Sequence, residues 1–350
     1  MTNSNSATLP DPDFSWDPNA NPPIAGLRPH RTKSYRLEPE ISGNKLVVHN
    51  YGHGGAGITM SWGCAQEVID VISSRGFSQN QSVAVLGSGV MGLTAATLLA
   101  QLNLRVTIYA KAFPPHTTSN VAGGQWAPSL VEHNDTHQFN RILRRAFATH
   151  SAKLGQGYGV STRLNYTSHR SPNFDIVPRD VIREPQFFQH LPFGHLRSSG
   201  FAYSTLLVEP PIFLARLQKD LVTAGILFIK KEFLHIAEVT ALEENLIVNC
   251  TGLGARDIWQ DNLVKPVKGQ LVILPPQPRL QYLYSGHGYL FPRQDGVVVG
   301  GSEETHFVDD KPDVQMCKTI LARVRSVFED DAHALTAKEE TVPDWFIRNK

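Results

Sequence analysis

The sequence predicts an α/β protein in two parts, a helix-covered parallel sheet and a second region built on a mixed, largely antiparallel sheet. Three observations predict it. Residues 83–92 read V-A-V-L-G-S-G-V-M-G, a short apolar run opening into G-x-G-x-x-G. An Ala- and Leu-rich stretch follows, then L-R-V-T-I-Y at 104–109, and together they fit one strand–helix–strand unit of a Rossmann-type domain. Residues 264–302 alternate apolar and polar side chains between turns, the pattern of antiparallel strands.

Taken in order, residues 1–24 are rich in Pro, Asn and Asp and poor in aliphatics, which predicts a disordered or extended tail. Lys45 to His49 predicts a short strand, followed by the glycine-rich turn Tyr51-Gly52-His53-Gly54-Gly55-Ala56-Gly57. The spacing of Ile58, Trp62, Val68, Ile69 and Ile72 predicts a helix with one buried face, running to about Ser74. Gln81 to Leu86 predicts a buried strand, Val90 to Leu102 a helix and Leu104 to Tyr109 a second strand. After Ala110 the chain reads as loop through F-P-P-H-T-T-S-N-V-A-G-G-Q-W-A-P. Residues 135–155 predict a helix, whereas 160–200 show weak periodicity among many Pro, Arg and aromatic residues. Pro211 to Ala224 predicts a helix with Pro in its first turn and Gly225 as its stop. Ile226 to Lys230 and Leu246 to Cys250 predict strands, the second ending in the turn Thr251-Gly252-Leu253-Gly254. Val314, Ile320, Leu321, Val324 and Val327 predict a helix over 312–328.

A chain of 350 residues suggests two domains or one large one. With 33 Lys plus Arg against 32 Asp plus Glu, the net charge of +1 gives no general attraction to nucleic acid or an anionic membrane. No apolar stretch approaches the roughly eighteen residues of a membrane helix. The polar, Pro-rich start lacks the basic and apolar segments of a signal peptide. Cys64, Cys250 and Cys317 are widely spaced and odd in number, which suits reduced thiols of a cytoplasmic protein. The histidines show no ligand spacing with acids or cysteines, so no metal is expected.

In Gly87-Ser88-Gly89-Val90-Met91-Gly92 the first glycine allows the tight turn. The second lets backbone approach a pyrophosphate, and the third lets helix pack on strand. Free N–H groups and the helix dipole then favour the diphosphate. The bland alternative, a structural turn, loses weight because the hexapeptide stands between a strand and a helix. An acidic residue for the ribose hydroxyls is missing at the end of the second strand, where the chain reads Tyr109-Ala110-Lys111. Lys111 could pair with a phosphate or face solvent, and on this point an NADP reading stays open.

Several further motifs carry a resemblance. Phe113 to Pro128 resembles the flavin-contacting segment of the D-amino acid oxidase family. Val248-Asn249-Cys250-Thr251-Gly252 resembles its N-C-T-G turn, Lys265 to Gln270 its P-x-[RK]-G-Q strand, and Tyr289-Leu290-Phe291-Pro292 with Gly300-Gly301 its Y-I-x-P and G-G hairpin. Two motifs that close the family's chains stand first here: Gly26-Leu27-Arg28-Pro29-His30-Arg31, and His49 to Gly57 continuing into Ile58-Thr59 and Trp62-Gly63-Cys64-Ala65. The end, V-P-D-W-F-I-R-N-K, stops where the family runs on into G-[FL]-R-P. The resemblance is that of a circularly permuted member, joined through a linker near Ser78 to Gln81. It implies an FAD-binding domain over 44–130 and 205–262, and a substrate domain over 25–43, 131–204 and 263–345.

The resemblance implies FAD as cofactor. It is held by Gly87 to Gly92, Lys111, Thr117, Thr118, Gly123, Gly124, Gln125, Trp126, Thr251 and Gly252. Gly52, His53, Gly54, Gly55, Gly57, Ile58 and Thr59 lie at the flavin edge. Four glycines among residues 52–57 are costly for a mere helix start. By the same resemblance Arg28 grips the substrate carboxylate, Tyr289 donates to it, and Gly55 lies at the reacting centre. Arg31 supports the loop through a carboxylate or a carbonyl. The implied reaction is hydride transfer from the Cα of a D-amino acid to flavin N5, without a side-chain base, with dioxygen as acceptor and hydrogen peroxide as product. A second active-site tyrosine of the family falls on Ser285, which leaves the amine oxidised open, and Arg293 or His287 could meet an acidic side chain. Oxidation of glycine, D-aspartate or another amine, and a flavin protein without turnover, are the alternatives. No nucleic acid or membrane partner is expected, a homodimer is compatible, and an R-N-K end unlike S-K-L leaves the cytoplasm as the expected compartment.

Overall fold

The computed structural model describes residues 8–76, 79–170, 173–193, 199–305 and 309–329. Part of the expected linker near Ser78 and the end of the chain from 330 onward lie outside them. In chain order the front segment supplies β1 (Ile24–Arg31), β2 (Pro39–Ser42), β3 (Lys45–His49) and α1 (Gly57–Ser74). The nucleotide unit follows as β4 (Ser82–Leu86), α2 (Val90–Gln101) and β5 (Arg105–Ala110). Next come α3 (Thr136–Ser151), β6 (Val160–Thr167), α4 (Asn173–Ile176), β7 (Gln186–Phe188), β8 (Gly200–Val208), α5 (Pro210–Thr223), β9 (Leu227–Lys230), α6 (Ile236–Thr240), β10 (Leu246–Asn249) and α7 (Ala255–Ile258). The last elements are β11 (Val264–Leu274), β12 (Tyr282–Gly286), β13 (Gly288–Arg293), β14 (Gly296–Gly300) and α8 (Val314–Arg325).

Two sheets result. The first has the order β2-β3-β10-β4-β5-β9, parallel throughout except for the β2–β3 hairpin. Its inner strands, K-L-V-V-H, L-I-V-N and S-V-A-V-L, are apolar on both faces because helices cover both. On one side α1, α2, α3 and α5 form a single buried cluster with this sheet. All five residues that predicted the face of α1 are buried. Each large side chain among them stabilises by about 1.5–3 kcal/mol on burial, so α1 is held by packing rather than by helix propensity. On the other side Phe233, Val239, Leu242 and Ile258 cover Val47, Ala84, Leu86 and Ile247.

The second sheet has the order β1-β11-β14-β13-β12-β6-β8-β7 and is antiparallel except for the β12–β6 pair. Its period-2 alternation sorts side chains onto two faces. One face, with Val272, Tyr282, Tyr284, Leu290 and Val299, packs on α8 through Cys317, Ile320 and Val324. The other, with Leu207, Leu271, Leu283, Tyr289, Phe291 and Val298, turns toward Val121 and the nucleotide unit.

The structure differs from the sequence reading in three places. The weakly periodic stretch 160–200 holds β6, α4, β7 and the start of β8. The alternation of β6 is blurred because its inward Asn165 is polar, donating to Ser285 Oγ at 2.9 Å. The expected tail has no helix or strand over 8–23, but it is pinned on the second sheet. Phe14 is buried against Phe328, and Tyr282 donates its hydroxyl to the Pro10 carbonyl at 2.8 Å. Sheet membership also departs from the expected borders at 43/44 and 204/205: β2 belongs to the parallel sheet and all of β8 to the other.

Candidate active site

The start of α2 is shaped by three glycines with different constraints. Gly87 has φ +105°, and a Cβ there would strike the Cys250 carbonyl oxygen. A Cβ at Gly92 would strike the Gly87 carbonyl oxygen, so this position sets the contact of helix with strand. A Cβ at Gly89 would meet only Ser119 Oγ, at 3.0 Å. No side chain caps α2 through its N-cap residue and no acidic residue stands in its first turn. The Val90 N–H donates to Ser119 Oγ at 3.0 Å, and Ser88 Oγ to the Ala112 carbonyl at 2.5 Å. Ser119 is a residue the sequence reading passed over in favour of Thr117 and Thr118. Thr117 instead donates to Asn120 Oδ1 at 2.7 Å, and Thr118 is exposed. Lys111 faces solvent beside Glu232, 3.5 Å away.

The start of α1 lies beside that of α2, so that a Cβ added to Gly57 would touch the Val90 side chain. It too lacks a side-chain cap and an acidic first turn. The glycines before it are committed to protein contacts. Gly52 has φ +89° and presses on Arg31, while a Cβ at Gly54 (φ +57°) would strike the Leu130 carbonyl. The N–H of Gly54 donates to the Pro29 carbonyl at 3.0 Å and that of Gly55 to the Leu130 carbonyl at 3.3 Å. The donors left at this turn are those of Gly57, Ile58 and Thr59 in the first turn of α1. Thr59 Oγ1 also donates to the Ala127 carbonyl at 2.9 Å. His53 is buried, stacked on Tyr35 and 3.4 Å from Cys64 Sγ, and burial pushes its pKa down to about 3.

The loop after β5 runs back to β8. Val208 N donates to the Gly124 carbonyl at 2.8 Å and Trp126 N to the Leu206 carbonyl at 2.8 Å. Trp126 is buried edge-on to Phe147. Gln125 Nε2 donates to the Tyr203 hydroxyl at 3.0 Å. Gly123 sits close on Tyr289 and Phe291, within about one atom's width of both rings. Thr251 N donates to Asn249 Oδ1 at 3.1 Å, and at Gly252 (φ +58°) a Cβ would lie in van der Waals contact with Pro29, at 3.7 Å.

On the inward face of the second sheet, β1, β11, β14 and β13 bring Arg28, Gly269, Gly300 and Tyr289 together. Arg28 and Tyr289 are remote in sequence and meet only because β1 pairs with β11. The Arg28 guanidinium lies across Gly269, where any side chain would strike it. Its Nη1 donates to the Ser302 carbonyl at 3.0 Å. Among the described residues no carboxylate lies within 4.0 Å of it, although the Glu303 carboxylate is near enough to feel its charge. Tyr289 lies within hydrogen-bonding reach of Arg28; burial raises its pKa and the guanidinium opposes the rise. The hydroxyl therefore keeps its proton at neutral pH and can donate. Behind Arg28, Arg31 reaches Asp261 at 2.8 Å and the Ser34 carbonyl at 2.7 Å, the supporting role its position suggested. Arg293 forks onto Asp295 at 2.8 and 2.7 Å and donates to the Ala122 carbonyl at 3.0 Å, so it is committed within the protein.

Residues 82–345 match the family described as FAD dependent oxidoreductase. The chain belongs to that family. Human D-aspartate oxidase is 28% identical over 257 residues, 69% of this chain and 74% of that protein. The D-amino-acid oxidase of Streptomyces coelicolor is 27% identical over 265 residues, 72% of this chain and 79% of that protein. Among solved structures the L-amino acid deaminase from Proteus vulgaris aligns with a TM-score of 0.47 at 14% identity, over 64% of this chain and 61% of that one.

The FAD dependence of the family fits the residues present. An anionic diphosphate suits the start of α2, where the N-cap residue Gly89 has no side chain to cover the backbone and only the Val90 N–H is taken, by Ser119 Oγ. The neighbouring uncapped start of α1 offers a second set of N–H groups and a positive dipole end, suited to a ring edge that gains negative charge. Among the described residues no group of three His, Cys, Asp or Glu side chains is placed to hold a metal ion. No described helix is long and apolar enough to cross a membrane.

Proposed function

We propose that this family member oxidises D-amino acids, with dioxygen as acceptor and a 2-oxo acid, ammonia and hydrogen peroxide as products. The observation that carries the reading is the Arg28 guanidinium, with no carboxylate within ion-pair distance among the described residues and set against the partly buried, protonated Tyr289. One Nη of Arg28 is held by the Ser302 carbonyl, which fixes the plane of the fork. The rest of the guanidinium then meets a substrate carboxylate with charge-assisted hydrogen bonds, and Tyr289 donates one more. This grip orients the substrate Cα–H, and orientation accounts for most of the acceleration. Bound FAD would supply the hydride acceptor at N5. No side-chain base is assigned a role in the step.

In this reading Gly57, Ile58 and Thr59 serve the flavin edge through their N–H groups. Gly52, Gly54 and Gly55 shape the turn against Arg31, Ser129 and Leu130. Gly87 to Gly92, with Ser119, serve the diphosphate. The same reading takes the motif order as a circular permutation. Support comes from the first 81 residues, which fall outside the family match yet supply β1, β3 and α1 to both halves of the site. The test is peroxide release by the purified, yellow holoprotein from a panel of D- and L-amino acids. Release confined to D-amino acids supports the reading; flavin binding without peroxide from any of them sinks it.

A further inference from the structure

A carboxylate stands beside the carboxylate clamp. After β14 the chain continues along β11 as far as the bridge between Lys268 and Glu304. Glu304 shares the outward face with Lys268 and accepts from Gln270 Nε2 at 2.8 Å. Successive residues of an extended strand alternate faces, so Glu303 points inward, to the face of Gly269 and the Arg28 guanidinium. The Ser302 carbonyl that binds Arg28 is the one immediately before it. Glu303 is half-buried, and burial raises its pKa while Arg28 and His30 oppose the rise. His30, two residues along β1 on the same face as Arg28, contacts the Leu130 carbonyl at 3.3 Å and Glu132 at 3.1 Å. The neighbouring guanidiniums are spent elsewhere, Arg31 on Asp261 and Arg293 on Asp295.

We propose that Glu303 is a specificity-determining residue that excludes dicarboxylic amino acids, so that the substrates are D-amino acids with a single carboxylate. The inference rests on Arg28 as the carboxylate clamp. Arg28 and Glu303 together are neutral, and a zwitterionic monocarboxylic substrate leaves them so. A substrate with a second carboxylate adds a negative charge to a partly desolvated site that already holds Glu303, and the neighbouring described guanidiniums of Arg31 and Arg293 are already paired. Like charges placed together discriminate strongly between ligands of similar shape. The preference would therefore separate this chain from its human relative named D-aspartate oxidase.

Two measurements on the FAD-loaded protein test it. Peroxide assays give kcat/KM for D-alanine and D-aspartate, and titration of the flavin absorbance with propionate and malonate reads the same preference without turnover. The wild type is expected to favour D-alanine and propionate. Glu303→Gln, which keeps size and hydrogen bonding, should shift both ratios toward the dicarboxylate by about tenfold. A wild type that prefers D-aspartate and malonate, or ratios unchanged in Glu303→Gln, overturns the inference. Absence of turnover with every D-amino acid would count against the proposed reaction instead, and the propionate and malonate titration would still decide the role of Glu303.

Discussion

At the scale of single residues, glycine identity is decided by which atom a Cβ would meet. Gly92 and Gly89 belong to one hexapeptide and look equivalent in the sequence, but the structure separates them. A Cβ at Gly92 would overlap a backbone carbonyl that cannot move without breaking the β4–α2 turn, whereas Gly89 faces a serine hydroxyl that can rotate. Gly92→Ala is expected to lower the thermal midpoint by several degrees and to release FAD, while Gly89→Ala should fold normally and weaken FAD alone. Melts with and without added FAD check this, and equal midpoints for the two variants would contradict it. Similar logic explains a limit of the sequence reading. Gly54 and Gly55 read as glycines at a flavin edge. The Leu130 carbonyl beside Gly54 and the Ser129 carbonyl beside Gly55 come from a loop distant in sequence and leave no local signal.

At the scale of elements, the Rossmann-type unit was legible because its strands are apolar on both faces and its helices periodic. The strand β3, the helix α1 with its five buried residues, and α2 through β5 appear within a residue or two of their expected bounds. The stretch 160–200 was not legible. Its strand β6 is amphipathic in the opposite sense from usual, carrying polar Asn165 toward the interior, where Ser285 and Tyr203 meet it. Glu303 escaped notice for a related reason. In E-E-T-H nothing local distinguishes Glu303 from Glu304, and only the bridge to Lys268 tells which of the two faces Arg28. Arg28, Tyr289 and the two helix starts, by contrast, are proposed from motif resemblance, because each is embedded in a short pattern of small and rigid residues.

At the scale of the whole molecule, the front segment is structural to both sheets. Within the parallel sheet Asn249 meets His49 and His49 meets Glu40, while Arg31 of β1 and Tyr51 after β3 converge on Asp261 and link the two sheets. Buried imidazoles make this assembly sensitive to acid. Burial pushes the pKa of His150 down to about 4 and that of His53 to about 3, and lowers that of His49, with Arg36 adding to the effect. The unfolded chain takes up these protons below about pH 6.5, while the folded protein does not until near pH 4. Stability is therefore full above pH 6.5 and falls as pH drops toward 4, by up to about 1.4 kcal/mol per pH unit for each ring. Melts at pH 7 and pH 5 should show a clearly lower midpoint at pH 5; an unchanged midpoint would mean that these rings are protonated in the fold.

The central claim is that a guanidinium from the front of the chain clamps the substrate carboxylate beside a flavin held mainly by the rest. The most direct measurement is steady-state peroxide release from D-alanine by the wild type and Arg28→Ala, with bound FAD quantified in both. Loss of a charge-assisted pair of this kind costs about 3 kcal/mol, so Arg28→Ala should keep its FAD and raise KM by roughly a hundredfold. An Arg28→Ala protein that retains FAD and turns over D-alanine with the KM of the wild type would contradict the account.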